Sequence, residues 1–143
     1  MGIRKLRPGK LKRYVKLAYP ILEPVAQKGG TINGAEIQTD GGLITYKDLL
    51  DEMGGAPGRG FIGDVLDRIN EVENDKNCPK LSAVVVTAKR FTVSGGFFRS
   101  PNTPARVKRS RKQGRDPYLN DAEEKQWLKD LKEVWDRWAG TKS

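Results

Sequence analysis

The chain has 143 residues, 36% of them hydrophobic, which is enough for one domain with a core and exposed extensions. There are 27 Lys and Arg against 18 Asp and Glu, giving a formal net charge of +9. Histidine is absent and Cys78 is the single cysteine. These counts exclude a disulfide framework, a cysteine-based zinc site and histidine-dependent nucleophilic catalysis, so we expect no metal, no cofactor and no enzymatic activity. No apolar run is long enough to span a bilayer, and no secretory signal is recognisable.

The excess positive charge is confined to two short segments. Residues 1–17 and residues 99–115 carry seven cations each and no acid, whereas residues 18–98 have a net charge of −3 and residues 116–143 of −2. Solubility does not require such segregation, which instead suits a polyanion. We therefore predict nucleic-acid binding, with a membrane surface or an acidic protein as less favoured partners.

The first elements in chain order are a basic arm and a small hairpin. Residues 1–17 are predicted to form the arm, which is broken at Pro8-Gly9. A short helix is expected over 14–26, although Pro20 and Pro24 argue against it. Asn33-Gly34 is typical of a tight turn and predicts a hairpin over 31–39.

Residues 18–98 are predicted to form one small α/β domain of the winged-helix type. Thr45 is a candidate N-cap for a helix over 46–53, and a glycine-rich turn separates it from a second helix over 60–73. The β-branched run 81–87 predicts a buried strand, and 91–98 a second strand or wing. Lys89 and Arg90 would then lie at the tip of that wing.

The remaining sequence is predicted to be a flexible basic linker and a separate helix. Residues 99–117 contain three prolines and few apolar side chains, which is typical of a disordered linker. In 118–143, Asn120 and Glu123 have capping-box spacing. The face that carries Trp127, Leu131, Trp135 and Trp138 either packs on its own domain or binds a protein partner or a second copy.

Four short motifs resemble the DNA-binding domain of the alkylguanine-DNA alkyltransferases and the alkyltransferase-like proteins. They are ITY at 44–46 followed by Leu49, RGFIG at 59–63 with one extra residue, PKLSAVVV at 79–86 and SGGFF at 94–98. The resemblance covers about residues 43–98. It implies a winged-helix domain that docks on duplex DNA.

The resemblance also implies roles for two residues and the loss of one activity. Tyr46 would lie near a backbone phosphate, and Arg59 would match the arginine that props the duplex open. The Pro-Cys-His-Arg nucleophile of the family is missing, because Cys78 precedes the strand and no histidine is present. Alkyl transfer is therefore not expected.

Together these observations predict a non-catalytic protein that binds DNA, or alternatively RNA within a ribonucleoprotein, inside the cell in the cytoplasm or at the nucleoid. An adaptor that recruits a protein through the C-terminal helix is a further alternative. A metal-dependent nuclease built on Asp64 and Asp67 is the least favoured. The candidate nucleic-acid contacts are Arg4, Lys5, Arg7, Lys10, Lys12, Arg13, Tyr46, Lys47, Arg59, Lys89, Arg90, Arg99, Arg106, Lys108, Arg109, Arg111, Lys112 and Arg115.

Overall fold

The protein is a mixed α/β structure that is mostly helical. A computed structural model describes residues 7–58, 60–99, 103–110, 112–113, 116 and 118–139. Its helices are α1 (Pro8–Lys28), α2 (Tyr46–Glu52), α3 (Ile62–Asp75) and α4 (Asp121–Ala139). Its strands are β1 (Thr31–Asn33), β2 (Glu36–Gln38), β3 (Ile44–Thr45) and β4 (Val85–Val86), and short 3₁₀ helices lie at Leu81–Val84, Gly95–Arg99 and Ala105–Val107.

Helix α1 is longer than the sequence suggested, because it begins inside the predicted basic arm. Pro8 lies at its first position, where a missing N–H costs nothing and the fixed φ favours a helix, so the Pro8-Gly9 pair starts the helix instead of breaking the chain. Pro20 and Pro24 lie inside it, both on its exposed side.

The hairpin and the cap of α2 agree with the sequence. β1 and β2 pair antiparallel around Gly34, which has a φ of 66°. The Thr45 hydroxyl accepts a hydrogen bond from the Asp48 N–H at 3.1 Å, as an N-cap does.

Of the two strands predicted after α3, over 81–87 and 91–98, only Val85–Val86 is observed. This strand is β4, and it pairs parallel with β3. Residues Leu81–Val84 form a 3₁₀ helix whose Ser82 N–H donates to the Asn70 side-chain oxygen at 3.3 Å instead of to a neighbouring strand. Residues Gly95–Arg99 are a second 3₁₀ helix. Within the described residues no antiparallel wing is formed, so Lys89 and Arg90 lie in a turn between Thr87 and Thr92.

All four helices share one hydrophobic core, to which α4 contributes its tryptophan face. The Trp127 indole N–H donates to the Ala83 carbonyl at 2.9 Å, and that of Trp135 to the Gly42 carbonyl at 3.0 Å. Trp127, Leu131 and Trp135 are buried, and Trp138 packs half-buried against the same core. The predicted partner-binding stripe is therefore a packing face of the fold.

The described part of the predicted linker also belongs to this core. Val107 and Thr103 are buried, and the Arg109 N–H donates to the Phe98 carbonyl at 2.9 Å. The expectation of a flexible segment is wrong for residues 103–110, because their few apolar side chains are supplemented by a polar anchor at Arg109.

Candidate nucleic-acid interface

The N-terminal half of α1 presents a continuous cationic face to solvent. Its cations are all exposed and span fewer than three helical turns: Arg7, Lys10, Lys12, Arg13 and Lys16. None of them forms an ion pair within the part of the chain that the structure describes. Ala18, Leu22 and Ala26 bury the opposite side of the helix in the core, so the fold holds the cations outward. We call this surface the α1 basic face.

Leu17 is an apolar residue within this charged face. Its side chain is 43% exposed, and with Gly9, Lys12, Arg13 and Lys16 it lines an open depression of about 400 Å³. An apolar floor between cations suits a ligand that combines phosphates with apolar groups.

The cations of α1 are placed against the electrostatics of their own helix. The N-terminus of a helix carries partial positive charge and favours acidic side chains, yet the first turn of α1 has none and its N-cap Arg7 provides no side-chain cap. Lys10, Arg13 and Lys16 follow at intervals of three residues, where like charges repel. Intrahelical stability therefore does not explain these residues, whereas an external polyanion would.

Helix α4 shows the opposite arrangement. Asp121, Glu123 and Glu124 occupy its first turn. The Asn120 side chain accepts from the Glu123 N–H at 2.9 Å, and the Glu123 carboxylate accepts from the Asn120 N–H at 3.0 Å, which confirms the capping box.

In the second basic segment, Arg109 is an internal anchor and not a free surface cation. Its guanidinium bonds both oxygens of the Glu123 carboxylate, and the two side chains are 10% and 4% exposed. It also donates to the carbonyls of Gln113, at 3.0 Å, Asp116, at 2.6 Å, and Tyr118. Burial acts to raise the pKa of Glu123, but the hydrogen bonds and charge of Arg109 outweigh it and leave the pKa below its usual value.

The other described cations of this segment divide into two kinds. Arg99 is 28% exposed and lies 3.9 Å from the Asp67 carboxylate, and Arg106 donates to the Gln126 side chain, so the fold engages both. Lys108 and Lys112 are exposed. The second segment therefore offers fewer free charges than its sequence suggested.

The predicted contacts of the domain itself have different surroundings. The Tyr46 hydroxyl lies 3.1 Å from the Ser94 hydroxyl, and burial raises its pKa, so an internal partner occupies the group that was expected to meet phosphate. Lys47, Lys89 and Arg90 are exposed. Arg4, Lys5, Arg59, Arg111 and Arg115 lie outside the described residues.

Sequence analysis missed a buried cation, Lys80. Its ammonium donates to the Thr103 hydroxyl at 2.7 Å and lies 4.4 Å from the centre of the Phe97 ring. Burial lowers its pKa to about 8, against the opposing effect of Asp130 and Asp67. Lys80 follows Pro79 in an otherwise apolar stretch, and no sequence pattern distinguished it from a surface lysine.

Helix α3 presents acidic side chains. Burial raises the pKa of Asp67 to about 6, although Arg99 acts in the opposite direction. Arg68, the basic residue of this helix, is paired with Glu71 at 2.9 Å. An acidic helix surface repels phosphates, whereas a cationic surface such as that of α1 attracts them.

The described residues contain neither a metal-ligand cluster nor a membrane-spanning helix. They contain no group of three or more Cys, Asp or Glu side chains arranged to hold a metal ion. In the same part of the chain, every helix is too short or too polar to cross a bilayer.

Comparison with protein-family models, with curated proteins and with solved structures finds no match for this chain.

Proposed function

We propose that the protein binds nucleic acid without catalysis, duplex DNA being favoured over RNA, through phosphate contacts of the α1 basic face. The observation that supports this most strongly is the set of five exposed cations on the first turns of α1, which form no ion pair with any described residue and have no acid in the sequence before Glu23. Each phosphate that such a cation neutralises releases condensed counterions, which supplies affinity that does not depend on base sequence. Inside the cell, in the cytoplasm or at the nucleoid, such polyanions are abundant.

The electrostatic cost of the face is the second support. Cations at a helix N-terminus and like charges three residues apart each oppose helix formation by a few tenths of a kcal/mol or more. A ligand that brings negative charge to the same end removes both penalties and meets the free N–H groups of the first turn. The face is therefore better matched to an anion than to water.

We also propose that α2 and α3 have a winged-helix-like arrangement, in which the turn between Thr87 and Thr92 replaces a two-stranded wing. The likeness to the alkyltransferase DNA-binding domain supports a docking domain of this type. It does not support alkyl transfer, since the chain has no histidine and no Pro-Cys-His-Arg motif. In this arrangement α1 supplies affinity, and α3, with its acidic surface, contributes little.

The test compares two variants with the same loss of charge. In the first, Lys10, Arg13 and Lys16 are changed to Gln. In the second, three exposed cations of α4 are changed to Gln, namely Lys125, Lys129 and Lys132. Affinity for a duplex, a single strand and a structured RNA is measured by fluorescence anisotropy as a function of salt.

The α1 variant should lose at least about tenfold in affinity, and the log–log salt slope should become shallower by about 2.7, at roughly 0.9 for each of the three lost phosphate contacts. The α4 variant should bind nearly as the intact protein does. Equal losses in the two variants would show that net charge alone controls binding, and a slope shallower than about −2 in the intact protein would reject the proposal. Tighter binding to structured RNA than to duplex would favour the ribonucleoprotein alternative.

A further inference from the structure

Of the two exposed aromatic side chains of the described residues, one contacts Arg90 in space and the other follows Arg90 in the chain. Phe91 and Tyr118 are each 61% exposed. The Arg90 guanidinium lies 3.7 Å from the centre of the Tyr118 ring, which is a stacked cation–π contact. Since Arg90 precedes Phe91 in the chain, a single turn joins both aromatic residues and a cation, with Lys89 exposed beside them.

The backbone holds Phe91 in an unfavourable conformation. Its φ is 53°, in the left-handed region that glycine or asparagine enters more readily than an aromatic residue. Two hydrogen bonds keep the turn in place: the Phe91 N–H donates to the Thr87 carbonyl at 2.9 Å, and the Thr87 N–H to the Thr92 carbonyl at 2.8 Å. The exposed Phe91 ring is therefore held at an energetic cost to the backbone, and among the described residues it has no place in the hydrophobic core that would offset this cost. Backbone strain of this kind is concentrated at functional sites.

Tyr118 is anchored as well. Its N–H donates to the Asp116 carboxylate at 2.9 Å, and its carbonyl accepts from Arg109, the residue that is bonded to Glu123 at the start of α4. The backbone that carries the exposed ring is thereby tied to the fold.

We propose that Phe91, Tyr118, Arg90 and Lys89 form a base-stacking platform for a single-stranded nucleic acid. This inference rests on the proposed function. It adds a feature of the ligand that the α1 basic face does not contact, namely the flat face of an unpaired base. Aromatic rings held between cations bind single strands because every base has a flat face to stack on and a phosphate on each side. Phe91 offers its ring to a base, the Arg90–Tyr118 pair offers a second flat surface, and Lys89 meets a neighbouring phosphate.

The experiment compares a strand that has all its bases with one that lacks some of them, and it compares the intact protein with a variant that lacks the Phe91 ring. The probes are a twelve-nucleotide oligo(dT) and a strand of the same length that carries abasic residues at its centre, so both present the same phosphates. The key variant is Phe91→Asn, because asparagine tolerates a positive φ and the turn is kept. Phe91→Tyr is the conservative control that retains a ring.

The intact protein should bind oligo(dT) about tenfold more tightly than the abasic strand, within the range expected for one stacked base. In Phe91→Asn this preference should fall to about onefold through weaker binding of oligo(dT), while binding of the abasic strand stays the same. Phe91→Tyr should keep the preference. The melting temperature of Phe91→Asn should be unchanged or higher, which shows that the loss is not caused by unfolding.

The outcomes separate this inference from the function on which it rests. Equal affinity of the intact protein for both strands, or a preference that persists in Phe91→Asn, rejects the platform and leaves the phosphate contacts of α1 standing. Binding of a duplex with no binding of oligo(dT) rejects the platform in the same way. If neither strand nor duplex binds at low salt, the proposed function fails and the platform with it.

Discussion

The two basic segments of the chain have equal charge in the sequence and different surroundings in the structure. In the first segment the described cations, from Arg7 to Lys16, are exposed, form no ion pair among the described residues and lie at the helix end that disfavours positive charge. In the second segment Arg109 is bonded to Glu123 and to three carbonyls, and Arg106 and Arg99 also have partners. The difference depends on whether a partly buried acceptor is close. Charge counts alone therefore do not distinguish a ligand surface from a structural anchor.

The largest expected effect concerns the second basic segment, in which Arg109 is a structural anchor. Arg109→Met should lower the free energy of unfolding by about 3–5 kcal/mol, because the Glu123 carboxylate stays buried without its counter-charge. Urea unfolding followed by tryptophan fluorescence measures it. Lys108→Met, at an exposed neighbouring position, should change the same quantity by less than about 0.5 kcal/mol. A loss below about 1 kcal/mol for Arg109→Met would show that the segment is not anchored as described.

The second prediction compares Gly9, in the first basic segment, with Gly95, which packs against Arg109 of the second. An added Cβ at Gly95 would lie 2.1 Å from the Arg109 guanidinium and 2.5 Å from the Asp116 carbonyl, whereas at Gly9 nothing lies within 4 Å. Gly95→Ala should therefore destabilise by about 2–3 kcal/mol, as overpacking does. Gly9→Ala should be neutral or stabilise by up to about 1 kcal/mol. Thermal unfolding of the two variants compares them, and a tolerated Gly95→Ala would contradict the close packing of Arg109.

The Arg109–Glu123 pair that anchors the second segment should also make the free energy of unfolding depend on pH. Because the folded pKa of Glu123 is lowered, the stabilisation is fully present above its unfolded value of about 4.5 and is lost as pH falls through the folded pKa. Intact protein should exceed Glu123→Gln in unfolding free energy by about 2 kcal/mol at pH 7. The difference should shrink steadily below about pH 4.5. A pH-independent difference would assign the effect to packing and not to charge.

The parts of the fold that could be predicted are those encoded by neighbouring residues. The hairpin at Gly34, the Thr45 cap and the Asn120–Glu123 capping box depend on contacts within a few positions, and all three are confirmed. The strand predicted over 81–87 is confirmed only at Val85–Val86, because Asn70, twelve residues away from Ser82, accepts the Ser82 N–H in the preceding 3₁₀ helix.

The candidate site can be divided in the same way, into features that neighbouring residues encode and features that depend on distant residues. Charge segregation located the cations of α1 but not their exposure, because the second segment has the same charge and contains Arg109, whose side chain is only 10% exposed. The anchoring of Arg109 depends on Glu123, fourteen positions away, and the contact between Arg90 and Tyr118 spans an even longer separation. Local patterns do not contain such pairings. The longer α1, in contrast, was available from the sequence, since proline at a first helical position is favourable.

The smallest expected effect concerns the stability of the α1 basic face itself. Changing Lys10, Arg13 and Lys16 to Gln removes like-charge neighbours that repel at intervals of three residues, and it removes no ion pair of the described residues. The free energy of unfolding should therefore stay within about 0.5 kcal/mol of the intact protein and rise slightly at low salt. At about 1 M salt, where the Debye length is about 3 Å, that rise should vanish. A loss of more than about 1 kcal/mol would mean that these cations hold the fold together, and the two basic segments would then serve the same purpose.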